Sequence, residues 1–387
     1  MNLSKIANNR IARWFYCVYL AARYKGGLLR KAKFFHFARI VSRKGVVWFR
    51  IERLAKDYTD AWYAMSSMPE DERRWFIEHG FSPAKKVFYG VGPDNYKSYL
   101  SDFEFYRKEN YKNSKSSSWF DDKLNTYFLL QPFKDYLPQH YYYARGGVMY
   151  PLDVDAKFNH GADDVLSLVK TREIAAKKCL GGHGEGFYKL SYSDGAFYAN
   201  DKECSEEKMR QLLAGLKGYL ITDFVKPAHY LREIVGEDSF AVMRVMAIYD
   251  PEDGPRFERA IIRLGTAKAG LTQAMHDHIY AGIDENGRLY DPILEKSDYD
   301  FRRIKEHPDT GKEIEGCHLK NIGELRELVK RISGYLPMTP YLIFDIIPTD
   351  ESFSILEINS HGQPFIFEPF ALVKSSKYFT KLFSTVE

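Results

Sequence analysis

Three things are scarce in this chain of 387 residues: cysteine, long apolar runs, and acid at one end. The four cysteines, Cys17, Cys179, Cys204 and Cys317, are scattered with no CxxC spacing. That argues against a zinc ribbon or a disulfide framework and fits reduced thiols in a cytosolic protein. No apolar stretch reaches the roughly 18 residues that a membrane-crossing helix needs. Residues 14–22 are apolar but short, and basic residues follow instead of a small-residue cleavage site, so no secretory leader is expected. Repeats and low-complexity tracts are absent. No Cys/His or Ser/His/Asp arrangement stands out, so a protein nucleophile is not expected. The length allows one large domain or two to three ordinary ones.

The acid scarcity is local. Residues 1–56 hold fourteen Lys or Arg against the single acid Glu52, a net charge of +13. The whole chain carries only +4, so the remainder is −9. Such asymmetry points to an anionic partner for the basic part. Aromatics are interleaved there: Trp14, Phe15, Tyr16 and Tyr19, then Phe34, Phe35 and Phe37, then Trp48 and Phe49. Basic, aromatic-bearing amphipathic helices lie on anionic membrane surfaces. A helical domain with a merely solvated basic face is the alternative. No RNA- or DNA-binding module is recognisable and the aromatics lack strand alternation, so no nucleic acid partner is expected.

Further along, helical signals continue through residues 57–113, and the polar run 113–118 is the best domain boundary, giving a helical region 1–115 and a second domain 116–387. Asp121 or Asp122 caps a helix over 119–130. Residues 141–148 read as a strand ending at Gly146-Gly147. Residues 162–180 keep helical spacing through Val165, Leu168, Val169, Ile174, Ala175 and Cys179, and stop at Gly181-Gly182. From Gly186 the pattern becomes strand, tight turn (Ser193-Asp-Gly195), strand, a helix capped by Ser205, and the apolar strand 219–225: a ββαβ unit over about 183–226. Strands follow at 240–249 and 256–264. Residues 265–290 look like loop around His276-Asp-His278, and a helix over 322–333 leads to the last hairpin.

That hairpin is the most informative stretch. Two β-rich runs, 341–347 and 353–358, are joined by a Pro/Asp/Ser turn, and each carries an acid where a buried strand would want an apolar residue. Pairing Ile347 with Phe353 puts odd-numbered residues of both strands on one face, which then holds Asp345, Glu357 and Asn359. Two carboxylates and an amide invite a cation, and Mg²⁺ takes such oxygen ligands together with phosphate oxygens. A self-satisfied hairpin is the alternative.

The order of elements resembles the ATP-grasp ligases, specifically the sugar-transfer-associated branch. The match rests on Asp122-Lys123-Leu followed by Leu137-Pro; on the ββαβ unit ending in Leu220-Ile-Thr-Asp223-Phe-Val; on Ser239-Phe-Ala-Val-Met-Arg244; and on His307-Pro-Asp-Thr-Gly311 leading to Phe344-Asp345 and Leu356-Glu357-Ile-Asn359. It covers about residues 119–370. The resemblance implies an α/β (α+β) ATP-grasp fold, two α/β subdomains clasping ATP, preceded here by the basic helical region. It implies ATP and Mg²⁺ as cofactors and transfer of the γ-phosphoryl group to a substrate carboxylate, followed by amine attack on the acyl-phosphate.

Carried over residue by residue, Lys189 matches the phosphate lysine, with Lys177 and Lys178 as rivals; Lys189 is preferred because the rivals fall inside the expected helix. Asp223, Phe224 and Val225 match the adenine hinge, and Glu233 is a candidate for the ribose. Arg244, mid-strand in an apolar run, needs a partner: the β/γ-phosphate or an ion pair with Glu357. Arg263 is a candidate for a carboxylate or the acyl-phosphate. Asp345, Glu357 and Asn359 match the metal residues. The chain departs from the family in a short glycine lid and in Met275-His-Asp277-His278-Ile-Tyr-Ala-Gly282, where His278 and Ala281 replace Asn and Gly. The expected function is a carboxylate–amine ligase for surface-polysaccharide or sugar-acid building blocks, cytoplasmic and peripheral at the inner membrane face; a phosphotransferase or a nucleotide-binding protein without catalysis are the alternatives.

Overall fold

The computed structural model describes residues 9–108, 113, 119–120, 122–153, 155, 161–181, 184, 186–269 and 276–384. The boundary run 114–118, Asp121, Met275 and most of the glycine run 182–185 lie outside them. Contacts divide the chain into two units. Residues 296–301 and 363–387, which the sequence reading gives to the second domain, belong with residues 1–114 in the first.

The first unit is helical: α1 (Arg10–Arg23), α2 (Leu28–Arg43), α3 (Ile51–Ala64), α4 (Glu70–Glu78), α5 (Ala84–Tyr89) and α6 (Asp102–Lys108). Part of its aromatic set builds the core, with Phe34, Phe37, Tyr58, Phe76, Phe81 and Phe105 almost fully buried. Two buried carboxylates are paired, as burial demands. Asp102 accepts from Lys85 at 2.7 Å and from the Tyr58 hydroxyl at 3.2 Å. Glu368 accepts from the Leu100 and Val373 backbone at 2.9 and 3.1 Å; burial still pushes its carboxyl up to about 7.

The second unit begins with α7 (Lys123–Leu129), capped by Asp122, which accepts from the Leu124 N–H at 2.8 Å. Two seven-stranded sheets follow. The first contains β1 (His140–Arg145), β2 (Val148–Pro151), β3 (Ile174–Lys178), β4 (Tyr188–Ser193), β5 (Ala196–Ala199), β6 (Lys202–Cys204) and β7 (Lys217–Asp223), in the order β2-β1-β7-β3-β4-β5-β6. Helices α8 (Ala162–Val169) and α9 (Glu206–Gly215) supply Val165, Leu166, Met209 and Leu213, which cover the face made by Ala144, Ile174, Ala176, Leu190 and Ile221. The expected ββαβ unit is here, its tight turn built on Asp194 (φ 50) and Gly195 (φ 83).

The single helix expected over 162–180 is a correction. It ends at Val169, and Ile174 opens a strand. The spacing that looked helical runs across a polar break, Lys170 to Glu173, and both pieces bury apolar residues in one core.

After α10 (His229–Val235), the second sheet is built from β8 (Ala241–Asp250), β9 (Gly254–Gly265), β10 (His278–Ile283), β11 (Leu289–Ser297), β12 (Asp300–Arg303), β13 (Tyr341–Pro348) and β14 (Phe353–Asn359), ordered β12-β11-β10-β9-β8-β13-β14. Part of the stretch expected as loop, 265–290, is thus β10 and the start of β11. One face is apolar: Met243, Val245, Ile262, Leu264, Ile279, Phe344 and Ile346 pack with Leu325, Leu328, Val329 and Ile332 of α11 (Ile322–Tyr335). The chain closes with α12 (Lys377–Ser384), part of the first unit. Among the described residues, no helix is long and apolar enough to cross a membrane.

Candidate functional site

Strand alternation sends every second residue of β8–β14 to the face that α11 does not cover. In register across the strands, that face carries Glu357 opposite Asp345, Asp345 opposite Arg244, Val242 opposite Arg263, Arg263 opposite Tyr280, and His278 opposite Glu295. A row of ionisable side chains therefore crosses the sheet. The sequence-expected trio Asp345, Glu357 and Asn359 lies together at one end of it.

The register that produces this differs from the expected one. Next to the turn, Pro348 faces Phe353 and Ile347 faces Ser354. Continued unchanged, that pairing would put Leu356 opposite Asp345 and turn Glu357 into the apolar core. A bulge intervenes: Ile346 faces Ile355, yet Asp345 faces Glu357. Leu356 is the extra residue, and it restores Glu357 and Asn359 to the face of Asp345.

Arg244 meets Asp345 two-pronged, Nε and Nη2 donating to the two carboxylate oxygens at 2.7 and 2.9 Å. Burial would lower the guanidinium, but Asp345 outweighs it and raises the arginine above its ordinary value. The expected partners were phosphate or Glu357; the structure gives Asp345. Glu357 is raised mainly by burial, with Lys123 opposing and Asp345 adding. The Asn359 side-chain amide nitrogen is buried with no hydrogen-bond partner. This all-oxygen donor set suits Mg²⁺, with Glu357 and Asn359 the least committed members.

Facing this end of the row is the uncovered face of the first sheet. Its register places Ala175 opposite Lys189 and Thr222, and Lys177 opposite Leu220. Lys177, Leu220, Thr222, Lys123 and Glu357 line one cleft. Lys123 Nζ donates to the Gly181 carbonyl at 2.9 Å and reaches Glu357 at 3.4 Å. Lys177 is pushed down to about 8, first by burial and then by the positive charge of Lys123, with Glu357 pulling the other way.

The three candidate lysines have different surroundings. Lys189 shares the face but is already met by Asp201 at 3.1 Å, Glu173 at 3.4 Å and Asp238 at 3.8 Å. Burial would lower it, yet Asp201 and Glu173 raise it. Lys177, set aside because it fell in an expected helix, is the one aimed into the cleft. Lys178 points to the opposite face, opposite Tyr219. There Gly186 (φ 72) lies so close that a Cβ would come within 2.6 Å of both Lys178 Cε and Tyr219 Oη.

The hinge residues are partly engaged. The Asp223 N–H donates to Gln139 and the Phe224 N–H to Glu173, so neither is available to a base in this conformation. The Asp223 carboxylate accepts from the Tyr141 hydroxyl at 2.8 Å. Val225 packs beside Phe240 and Val242. Glu233 is exposed on α10 near His229, away from the cleft lining. Arg263 sits near the rings of Phe240 and Tyr280, 5.8 and 6.0 Å from their centres.

At the far end of the row, the two-apart spacing of His276 and His278 suggests a shared strand face that could bind a metal, with too few ligands for zinc; it does not show the partners of His278. His278 Nε2 lies 2.7 Å from the Tyr280 hydroxyl and 3.0 Å from Glu295. The His307-Pro-Asp-Thr-Gly311 stretch is a brace: the His307 ring contacts the Gly265 carbonyl at 2.8 Å, and Asp309 accepts from the Ala267 N–H at 2.7 Å.

Comparison with known proteins identifies a family. The family described as sugar-transfer associated ATP-grasp matches residues 102–377. A comparison with curated proteins finds no match. Among solved structures, the chain is similar to a D-alanine–D-alanine ligase from Bacillus anthracis (12% identity, 86% of this chain and 91% of that one, TM-score 0.38). It is also similar to a biotin carboxylase from Campylobacter jejuni (9%, 70% and 47%, 0.39) and to N5-carboxyaminoimidazole synthetase from Staphylococcus aureus (8%, 64% and 46%, 0.35). The chain spans a little under half the length of these last two. With the family matched over most of its length, the chain belongs to the sugar-transfer associated ATP-grasp family, an α/β fold with a helical N-terminal region.

Proposed function

We propose that this chain is an ATP- and Mg²⁺-dependent carboxylate–amine ligase acting through an acyl-phosphate on surface-polysaccharide or sugar-acid building blocks. The observation that carries the reading is the Lys123–Lys177 pair facing Glu357 across one cleft. Two ammonium groups held together by a fold repel each other until an anion arrives, and a phosphate chain is such an anion. Lys177, rather than Lys189, is then the phosphate lysine. Leu220 and the aliphatic wall beside it receive the base. Glu357 and Asn359, with Asp345, would hold magnesium, which neutralises phosphate charge when bound. Arg244 fixes Asp345 in place. Arg263 is left to orient the carboxylate, and the Tyr280–His278–Glu295 chain borders the acceptor's side.

The +13 segment favours work close to an anionic membrane, where lipid-linked sugars are made. The test of the chemistry is product analysis. ADP and phosphate should appear only when carboxylate and amine are both present. A phosphorylated hydroxyl acceptor with no amine requirement would replace the reading with a phosphotransferase. Nucleotide binding that Glu357→Gln abolishes, without turnover on any acid and amine pair, would leave a binding protein.

A further inference from the structure

In a folded amphipathic helix the apolar side faces the core. Helix α1 is apolar on both sides. Cys17 and Leu20 are buried against the rest of the first unit, where Arg13 also reaches inward, donating to Ser42 Oγ at 3.0 Å. The opposite side is a continuous stripe at helical spacing, Ile11, Trp14, Phe15, Val18 and Ala22, all exposed, Ile11 by 68% and Phe15 by 62%. Leu28 and Leu29, at the start of α2, are exposed by 84% and 81%. A 3.6-residue period puts Arg10 at one border of the stripe and Arg23 at the other. Lys25 follows, and no acid precedes Glu52.

We infer that α1 lies in the plane of an anionic bilayer with this stripe inserted among the acyl chains and its arginines at the headgroups. The inference rests on the membrane reading above and sharpens it: attachment is by insertion as well as by charge. Exposed tryptophan and phenylalanine between cations fit the bilayer interface. A second copy is the poorer occupant, since it would bring another +13 against the first.

The test uses the full chain and vesicles of phosphatidylcholine and phosphatidylglycerol in equal parts, with bromine on the acyl chains as a fluorescence quencher. The difference between wild type and Trp14→Phe isolates Trp14. Insertion predicts that Trp14 is quenched and stays quenched in the fraction that high salt leaves bound. Phe15→Glu with Val18→Glu should lower partitioning by about 100-fold or more. Arg10→Glu with Lys25→Glu should lower it by about tenfold or more and reduce its salt dependence. All four positions are exposed, so unfolding curves and ATP binding should be unchanged.

Binding to the mixed vesicles that salt reverses fully, with Trp14 unquenched, overturns insertion and keeps the electrostatic reading. No binding to them overturns both, while the ligase assay stands or falls separately. Self-association without lipid that Phe15→Glu abolishes assigns the stripe to a second copy and overturns the proposal.

Discussion

The two seven-stranded sheets treat their ionisable residues in opposite ways. In the second, the buried pair is matched inside the protein: Arg244 clasps Asp345 with two hydrogen bonds, and His278 lies 3.0 Å from Glu295. In the first, one lysine is matched and another is not. Lys189 is surrounded by three carboxylates, whereas Lys177 is half-buried beside another lysine and held down to about 8. A matched charge maintains the fold; an unmatched one maintains readiness for a ligand. The distinction lies in the neighbours, since both lysines stand on the same face of the same sheet.

The largest effect belongs to Glu357→Gln, which should reduce ADP formation by at least ~10³-fold in a steady-state assay, because on the proposed function the developing phosphate charge loses its metal carboxylate. Next, Arg244→Met leaves Asp345 buried and unpaired and should cost ~3–5 kcal/mol in denaturant unfolding; adding Asp345→Leu should recover most of it. Lys177→Met should weaken ATP binding by ~100-fold, measured by calorimetry, while raising the melting temperature without ligand. Lys189→Met should do the reverse, lowering the melting temperature because Glu173 and Asp201 lose their partner, with ATP affinity changed less than ~3-fold.

A smaller effect is set by pH. The folded value of Lys177, about 8, lies below its ordinary 10.5. Between those values the unfolded chain binds more protons, so stability without ligand should rise with pH across that window. Phosphate binding favours the charged form. ATP affinity should therefore fall by up to about tenfold per pH unit above about 8, and Lys177→Met should flatten the profile.

The carboxylate hairpin was legible because acids interrupting β-rich alternation are conspicuous, and the ββαβ unit because its turn and cap residues are local signals. Lys177 was not legible: Val165, Leu168 and Ile174 fall at helical spacing by coincidence across a helix end and a strand start, and one wrong period moved a lysine out of the site. The strands within 265–290 were hidden by glycines that look like loop but fit a tight sheet. Gly282, for instance, is pressed against the Tyr290 ring, 2.4 Å from where a Cβ would stand. The partners of Lys189 come from three separate segments, and no local pattern announces them.

The extra residue at Leu356 has a consequence for how this hairpin can change over generations. The 349–352 turn sets one reading frame for the strand pair and the carboxylates require another; the bulge is the shift between them. A turn that gains or loses a residue need not scramble the carboxylate face, because gaining or losing the bulge brings the frame back. By the same reasoning, deleting Leu356 should keep Glu357 opposite Asp345, in a straighter hairpin. The tip is thereby insulated from the site, free to vary in length while the carboxylates hold their side of the sheet.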